Sequence, residues 1–395
     1  MSFRNRSATV SATFHLTHAC NLRCTYCYTG EKTSVGMSRE TAQRAVEFCL
    51  AQAGRDEAEH LEIVFFGGEP LLKHSLLCEI VDLLRASAGA MRVSFKMSTN
   101  GLLLTETVVD DLARQEVFIS LSLDGDPATQ NAQRPDAAGR GSADRLVPVF
   151  RRLLAWNQHT AVNCVVTPES AGRLDENVRW IFSQGFRYVT TPLDWSAGWS
   201  WGHLESLAAS YQRLGEWYVA ETLRGRKFYV SCFDEKIRSR TRGPLDKSER
   251  CMLGVRQFSI APSGRLYPCV QFVKEDDDPE WQIGDIERGF DEAKRECHFQ
   301  HAETGARSEC GGCALQPRCS SWCACVNWAA HGRTDEPAPL VCEHERLLTP
   351  IADHVANQLW RRRSAHFLHK HYNPAFPVLS FVEDALYPEA SHAER

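Results

Sequence analysis

The chain has 395 residues, 43% hydrophobic and 24% charged, with 25 glycines and 17 prolines. These values exclude a disordered, collagenous or coiled-coil protein, and the length points to two or three domains or to one large barrel with an appendage. The 45 basic residues against 50 acidic ones leave a net charge of −5, which argues against a nucleic-acid binder and against a polybasic membrane surface. The opening residues 1–10 lack the apolar run of a signal peptide, and no stretch approaches the roughly 20 apolar residues of a membrane span. The expectation is a cytoplasmic protein with neither membrane nor nucleic acid as partner.

From residue 12 to about 191, short β-branched or aromatic runs alternate with amphipathic helical stretches. The strand-like runs are 13–16, 61–66, 93–97, 117–123, 161–166 and 187–190. Between them, 38–52, 72–86, 106–114, 143–157 and 172–184 read as helices, the first with Ser38 as its N-cap. Six βα units predict a parallel sheet with outer helices, and an open six-unit barrel fits the count better than a doubly wound sheet. From about 192 the rhythm breaks into an aromatic, glycine-rich stretch carrying Trp195, Trp199 and Trp201, followed by a helix over 204–223. The segment 232–345 is too rich in Cys, Gly and Pro for a long regular core and is expected to fold around metal. A last helix is expected over 345–361, with a polar, solvated tail bearing His366, His369 and His371.

Cysteine is the departure from ordinary composition. Of 16 cysteines, Cys20, Cys24 and Cys27 share one loop, eight lie between Cys251 and Cys325, and Cys342 follows. In a leaderless chain such clusters suggest metal rather than disulfides. Cys49, Cys78 and Cys164 fall on helix or strand faces and read as small core residues. Zinc prefers four ligands in paired spacing, whereas three thiolates on a tight loop suit a cubane cluster with one iron left open. In parallel α/β folds the chemistry sits at the C-terminal strand ends. The cysteine loop follows the first strand, Gly67-Gly68-Glu69-Pro70 the second and Ser98-Thr99-Asn100-Gly101 the third, while Ser122-Leu123-Asp124-Gly125 ends the fourth.

In Cys20-Asn-Leu-Arg-Cys24-Thr-Tyr26-Cys27 and in Gly67-Gly68-Glu69-Pro70 the chain resembles the radical S-adenosylmethionine (SAM) superfamily. The resemblance implies that Cys20, Cys24 and Cys27 hold a [4Fe–4S] cluster whose fourth iron takes the amino and carboxylate groups of SAM. It further implies that Gly67, Gly68 and Glu69 meet the amino group through their backbone. Ser98, Thr99 and Asn100 would approach the ribose or methionine moiety, with Ser122 and Asp124 on the same rim. Arg134 becomes a candidate for the SAM carboxylate, and the backbone of Tyr26 for the adenine. The implied fold is a partial (β/α)6 TIM-type barrel, residues 10–230.

Cys310-x2-Cys313-x5-Cys319-x3-Cys323, preceded by Cys251 and Cys269 and followed by Cys342, resembles the SPASM extension of peptide- and protein-modifying radical SAM enzymes. That resemblance implies a small, irregular iron–sulfur domain over 231–349, a C-terminal helix and tail over 350–395, and two auxiliary [4Fe–4S] clusters. Cys310, Cys313, Cys319 and Cys342 would close the outer cluster; Cys251, Cys269 and Cys323 would hold the inner one. Some relatives place a further cysteine a few residues after the first, where this chain has only 252–258. Cys232, Cys297 or Cys325 could complete the inner cluster, or the site could stay open to substrate.

The implied activity is reductive cleavage of SAM to a 5′-deoxyadenosyl radical, which takes hydrogen from a ribosomally made precursor peptide. The product expected is an oxidative C–C, ether or thioether cross-link. The implied partners are the peptide, a separate leader-peptide recognition protein (no room for a fused one precedes Cys20) and an external flavodoxin- or ferredoxin-type electron donor. Modification of a protein target, as in anaerobic sulfatase maturases, is the second expectation, and peptide epimerisation another. Those maturases carry a catalytic Asp directly after the counterpart of Tyr267-Pro268-Cys269, and this chain has Val270 there. If a base is needed, Asp124 is the rim carboxylate expected to serve. A non-catalytic iron–sulfur electron carrier is the reading from another class, and it would need neither Gly67-Gly68-Glu69-Pro70 nor Ser98-Thr99-Asn100.

Overall fold

The alternation seen in the sequence is that of a sheet with one face under helices. In the computed structural model, which describes residues 9–243, 253–304 and 310–380, the strand β2 (His60–Phe66) buries Leu61, Ile63 and Phe65 completely, while His60, Glu62, Val64 and Phe66 on the other face stay half-buried. The same division marks β3 (Arg92–Thr99), β4 (Val117–Ser122), β5 (Ala161–Asn163) and β6 (Tyr188–Thr190), whereas β1 (Thr9–His15) is buried on both faces from Ala12 to His15. All six expected strands form and pair in parallel in chain order.

The helices follow the expected order. They are α1 (Arg39–Arg55), α2 (His74–Ser87), α3 (Glu106–Arg114), α4 (Pro127–Gln133), α5 (Ala143–Trp156), α6 (Leu174–Ser183) and α7 (Trp201–Leu223). Ser38, Thr105 and Asp126 cap α1, α3 and α4 by accepting the amides of Thr41, Val108 and Thr129. The short α4 carries no apolar periodicity, and for that reason the sequence did not announce it.

A two-residue strand, β7 (Tyr229–Val230), extends the parallel sheet beyond β6; it is too short to leave a pattern. After α8 (Ser231–Thr241) the chain returns to the opposite edge, where β8 (Gln257–Ile260) pairs in parallel with β1. An antiparallel meander of β9 (Arg265–Tyr267), β10 (Gly284–Asp285) and β11 (Gly289–Phe290) continues from it. Among the described residues the result is one sheet of eleven strands with β7 and β11 at its edges, an α/β fold with an open, partial TIM-type barrel.

The cysteine-rich segment is more regular than its composition suggested. It contains α9 (Glu292–Thr304) and α10 (Ala324–His331), and the last long helix, α11 (Pro339–Arg361), starts well before residue 345. The expected divisions at 230/231 and 349/350 fall between β7 and α8 and inside α11. The tail also differs from expectation: α12 (Ala365–Tyr372) buries His371 against Tyr218 and Asp234. Among the described residues no helix is long and apolar enough to cross a membrane.

Candidate active site

The loop after β1 is pressed between the turn after β2 and the end of α4. On one side, Gly68 N–H donates to the Thr17 carbonyl at 2.7 Å and Glu69 N–H to that of Ala19 at 2.8 Å. A Cβ on Gly68 would lie 2.0 Å from the Ala19 oxygen, and Gly67 adopts φ +129° with its own Cβ position 2.5 Å from the Thr17 oxygen. The glycines therefore let the β2 turn reach the backbone that carries Cys20. On the other side, Arg23 N–H donates to Pro135 and Thr25 N–H to Gln133 at 2.7 and 2.9 Å, so the segment after α4 lies along Cys24.

Glu69 is buried, and burial raises its pKa against the hydrogen bonds that favour the anion. Its two oxygens accept from the Thr99 hydroxyl (2.7 Å), the Asn100 amide (2.9 Å) and the Leu71 amide (3.1 Å). This carboxylate ties the second strand end to the third. Asn100 in turn sends its side-chain amide to Asn21 at 2.6 Å and toward the Cys20 sulfur at 3.8 Å. Ser98 and Ser122 stand half-buried at the ends of β3 and β4.

Asp124 does not stand as a free rim carboxylate. It is buried, and it accepts from Tyr26 Oη (2.7 Å), Gln133 Nε2 (2.9 Å), the Val165 amide (3.0 Å) and, bidentately, Arg134 Nε and Nη2 (2.8 and 2.9 Å). With every lone-pair direction engaged by a donor, it holds Tyr26 and Arg134 in place and has no site for a substrate proton. Arg134 keeps Nη1 for the Cys24 sulfur at 4.0 Å and lies 5.2 Å over the Tyr26 ring. Burial pushes the Cys24 thiol up to about 11 and raises Cys20. Burial opposes the Cys27 thiolate too, but hydrogen bonds from Thr29 and the nearby Lys32 ammonium outweigh it and bring that thiol down.

The second cysteine set approaches the first across Tyr28. Tyr28 stacks on Phe66 at 6.2 Å. Tyr28 is partly exposed, yet crowding around its phenol raises it, and the neighbouring thiols of Cys269, Cys27 and Cys325 add to the rise. Glu275, just beyond Cys269, accepts the Glu31 amide at 3.1 Å. Cys313, Cys319 and Cys323 ride on successive tight turns, each N–H returning to a carbonyl three residues back, and Cys310 supplies the carbonyl for the first of them; Cys342 lies in the first turn of α11. Cys251 lies outside the described residues. Cys49 and Cys164 are fully buried core residues, and Cys78 is half-buried. Trp195 packs edge-on against His344, whereas Trp201 is exposed and bonded to Glu205.

Sequence reasoning missed Asn21, Gln133 and Tyr28. Asn21 and Tyr28 lie beside the cysteines, and Gln133 precedes Arg134. Nothing in their spacing marks them out, because their partners Asn100, Asp124 and Phe66 are 79, 9 and 38 residues away.

Residues 14–181 match the model of the radical SAM superfamily. The chain carries a radical SAM domain. It is 27% identical over 371 residues to the mycofactocin maturase MftC of Mycobacterium ulcerans, covering 88% of this chain and 94% of that one. It is 22% identical over 326 residues to the cysteine-type anaerobic sulfatase-maturating enzyme of Clostridium perfringens, 77% and 85% of the two chains. The fold is similar to that of anSMEcpe with bound AdoMet and Kp18Cys peptide, with a TM-score of 0.75 at 20% identity over 89% of this chain and 99% of the other.

A radical SAM domain uses SAM and a [4Fe–4S] cluster, and the donor set suits that group. The loop presents three thiols. The Leu22 amide (3.4 Å) and Asn100 Nδ2 (3.8 Å) point at Cys20, and Arg134 Nη1 (4.0 Å) points at Cys24. Such N–H···S contacts are what cluster sulfurs use to set stability and potential.

Proposed function

We propose that this radical SAM enzyme is a peptide maturase of the SPASM type, making an oxidative C–C, ether or thioether cross-link in a ribosomally synthesised precursor peptide. Cys20, Cys24 and Cys27 hold the SAM-binding cluster, which with SAM bound supplies a 5′-deoxyadenosyl radical able to take hydrogen from carbon. Gly67, Gly68 and Glu69 shape the turn that meets the SAM amino group, Ser98, Thr99, Asn100 and Ser122 border its sugar and methionine parts, and the Tyr26 backbone borders its adenine. Arg134, fixed by Asp124, keeps one guanidinium nitrogen for the cluster loop or the SAM carboxylate. Asp124 is a positioning residue in this scheme and not the base. Cys310, Cys313, Cys319 and Cys342 form the outer auxiliary cluster; Cys251, Cys269 and Cys323 contribute to the inner one.

The observation that carries the reading is the meeting of the loop after Cys27 with the segment after Cys269, where the Glu31 amide donates to Glu275 at 3.1 Å. A substrate carbon held at the strand ends lies between the radical source and an electron acceptor, as a net oxidation requires. The test is anaerobic co-expression with small open reading frames adjacent to the gene, comparing peptide masses with and without Cys24→Ala. Loss of a pair of hydrogens from one peptide, absent with the variant, supports the maturase. If masses are unchanged, deuterium uptake in deuterated water would instead reveal epimerisation.

A second reading, modification of a protein in the manner of the sulfatase maturases, is favoured by the 0.75 TM-score to a peptide-bound member of that group. Val270, directly after Cys269, weighs against it, since an aliphatic side chain accepts no proton. Formation of formylglycine in a cysteine-containing sulfatase peptide would decide for this reading.

A further inference from the structure

The inner auxiliary set is one thiolate short in sequence, and three cysteines were available to complete it. The structure separates them. Cys232 is buried at the start of α8, hydrogen-bonded to Thr191 and near Cys164, inside the barrel core. Cys297 is exposed on α9. Cys325, 3% exposed, sits in the small apolar cluster with Leu253, Tyr267 and Phe272, and Cys269 and Cys323 pack against that cluster. The Cys325 thiol thereby lies close to those of Cys269 and Cys323.

The reason for this convergence is local. Cys323 is the N-cap of α10, and Cys325 is the second residue of the helix. The turn closed by Cys323 N–H to the Ser320 carbonyl at 3.1 Å leads directly into that helix and keeps the two cysteines on one short, fixed stretch of backbone. Asn327 locks the arrangement from the next turn: its side chain donates to the Ser321 carbonyl at 2.8 Å and accepts the Ala338 amide at 3.2 Å. The first turn of a helix also favours negative charge, which suits thiolate ligands there.

We infer that Cys325 is the fourth protein ligand of the inner auxiliary cluster, which is thereby fully thiolate-coordinated and closed to substrate. The inference rests on the auxiliary-cluster assignment proposed above. Binding would replace the S–H bond of Cys325 by an Fe–S bond, with one proton released to solvent. The inner cluster would then act as an electron acceptor and not as a docking point for a substrate thiol or amine.

The test uses the full chain with Cys20, Cys24 and Cys27 all changed to Ala, so that only auxiliary clusters remain after anaerobic reconstitution. Iron and sulfide are counted, and the EPR spectrum is taken after mild oxidation, which converts a cluster with an open iron to the [3Fe–4S] form. About eight irons and no [3Fe–4S] signal are expected in this background. Adding Cys325→Ala should release a signal of about one per chain or lose about four irons, and Cys325→Ser should shift the cluster spectrum with the iron retained. Cys232→Ala and Cys297→Ala should change neither. A [3Fe–4S] signal already present with Cys325 intact, or spectra and iron content untouched by both Cys325 variants, would overturn the inference. A background that loads no iron would instead remove the auxiliary clusters themselves, a different failure visible before Cys325 is altered.

Discussion

The two cysteine sets are held in contrasting ways. The loop of Cys20, Cys24 and Cys27 is gripped by the fold: the Gly68 turn, Asn100 and the segment after α4 all reach it from separate strand ends. The set from Cys310 to Cys323 is strung on three-residue turns. Its longer-range anchors are polar side chains: Glu345 accepts from Ser320 and from Lys236 at 2.6 Å, and Arg318 pairs bidentately with Asp353 and donates to Ser239 and the Lys236 carbonyl. A site gripped by strands is preorganised before its cofactor arrives. If the second set holds the auxiliary clusters proposed above, a site built on turns would depend on the metal to organise it, as small metal-folded units do.

Removing iron gives the largest expected effect and would break the comparison if it failed. Anaerobic chelation should strip hydrogen-exchange protection from residues 310–342 while amides in β1 to β4 keep theirs. Equal loss in both regions would mean that the barrel loop is no better preorganised than the turns. Next comes Asp124→Ala. It leaves the Arg134 guanidinium, buried and shielded from water, without its partner, at a cost of about 3–5 kcal/mol. Denaturant unfolding should record that loss, and SAM cleavage should fall because Arg134 and Tyr26 lose their anchor. If Asp124 served as a base, Asp124→Asn would abolish substrate turnover while SAM cleavage and stability stayed near normal.

How much of this was legible in the sequence follows the same division. The strands, their order and the placing of Cys20, Gly67, Asn100 and Asp124 at successive strand ends were readable, because period-two burial and helical spacing are local signals. The role of Asp124 was not. Its five donors come from Tyr26, Gln133, Arg134 and Val165, and only the folded sheet brings them together. The β8 return to the edge of β1, which carries Cys269 toward Cys27, is likewise a long-range pairing with no local mark. Val270 and the missing inner-cluster cysteine were visible as departures, yet choosing Cys325 over Cys232 and Cys297 required their burial and neighbours.

Acid should sharpen the contrast. His344, His366 and His371, around the helices that brace the second set, are each pulled down to about 4, chiefly by burial; His15 in the barrel, to about 3, is the counterpart. His371 faces Asp234 on α8, but Lys370, the Tyr218 hydroxyl and the Val230 amide already serve that carboxylate, and Arg242 and His366 add positive charge. A histidine kept neutral in the fold and protonated when unfolded supports stability above its usual value near 6.5. That support drains away as pH falls toward 4, by about 3 kcal/mol for a shift of this size. Urea midpoints should therefore drop between pH 7 and pH 4.5, and His371→Gln should flatten the drop by about one proton.

The smallest effect asks whether the loop is gripped only where the cysteines are. Ser38 closes its far end, accepting the Thr41 amide at 3.0 Å to start α1. Ser38→Ala removes that acceptor and should cost about 1 kcal/mol. Because the contacts from Gly68, Asn100 and the segment after α4 all fall between Thr17 and Thr25, iron loading at Cys20, Cys24 and Cys27 should be unchanged. A variant that unfolds slightly earlier yet binds its full iron would show that the strand ends alone hold the cluster loop. Loss of iron with so small a loss of stability would show instead that the helix start is part of the grip.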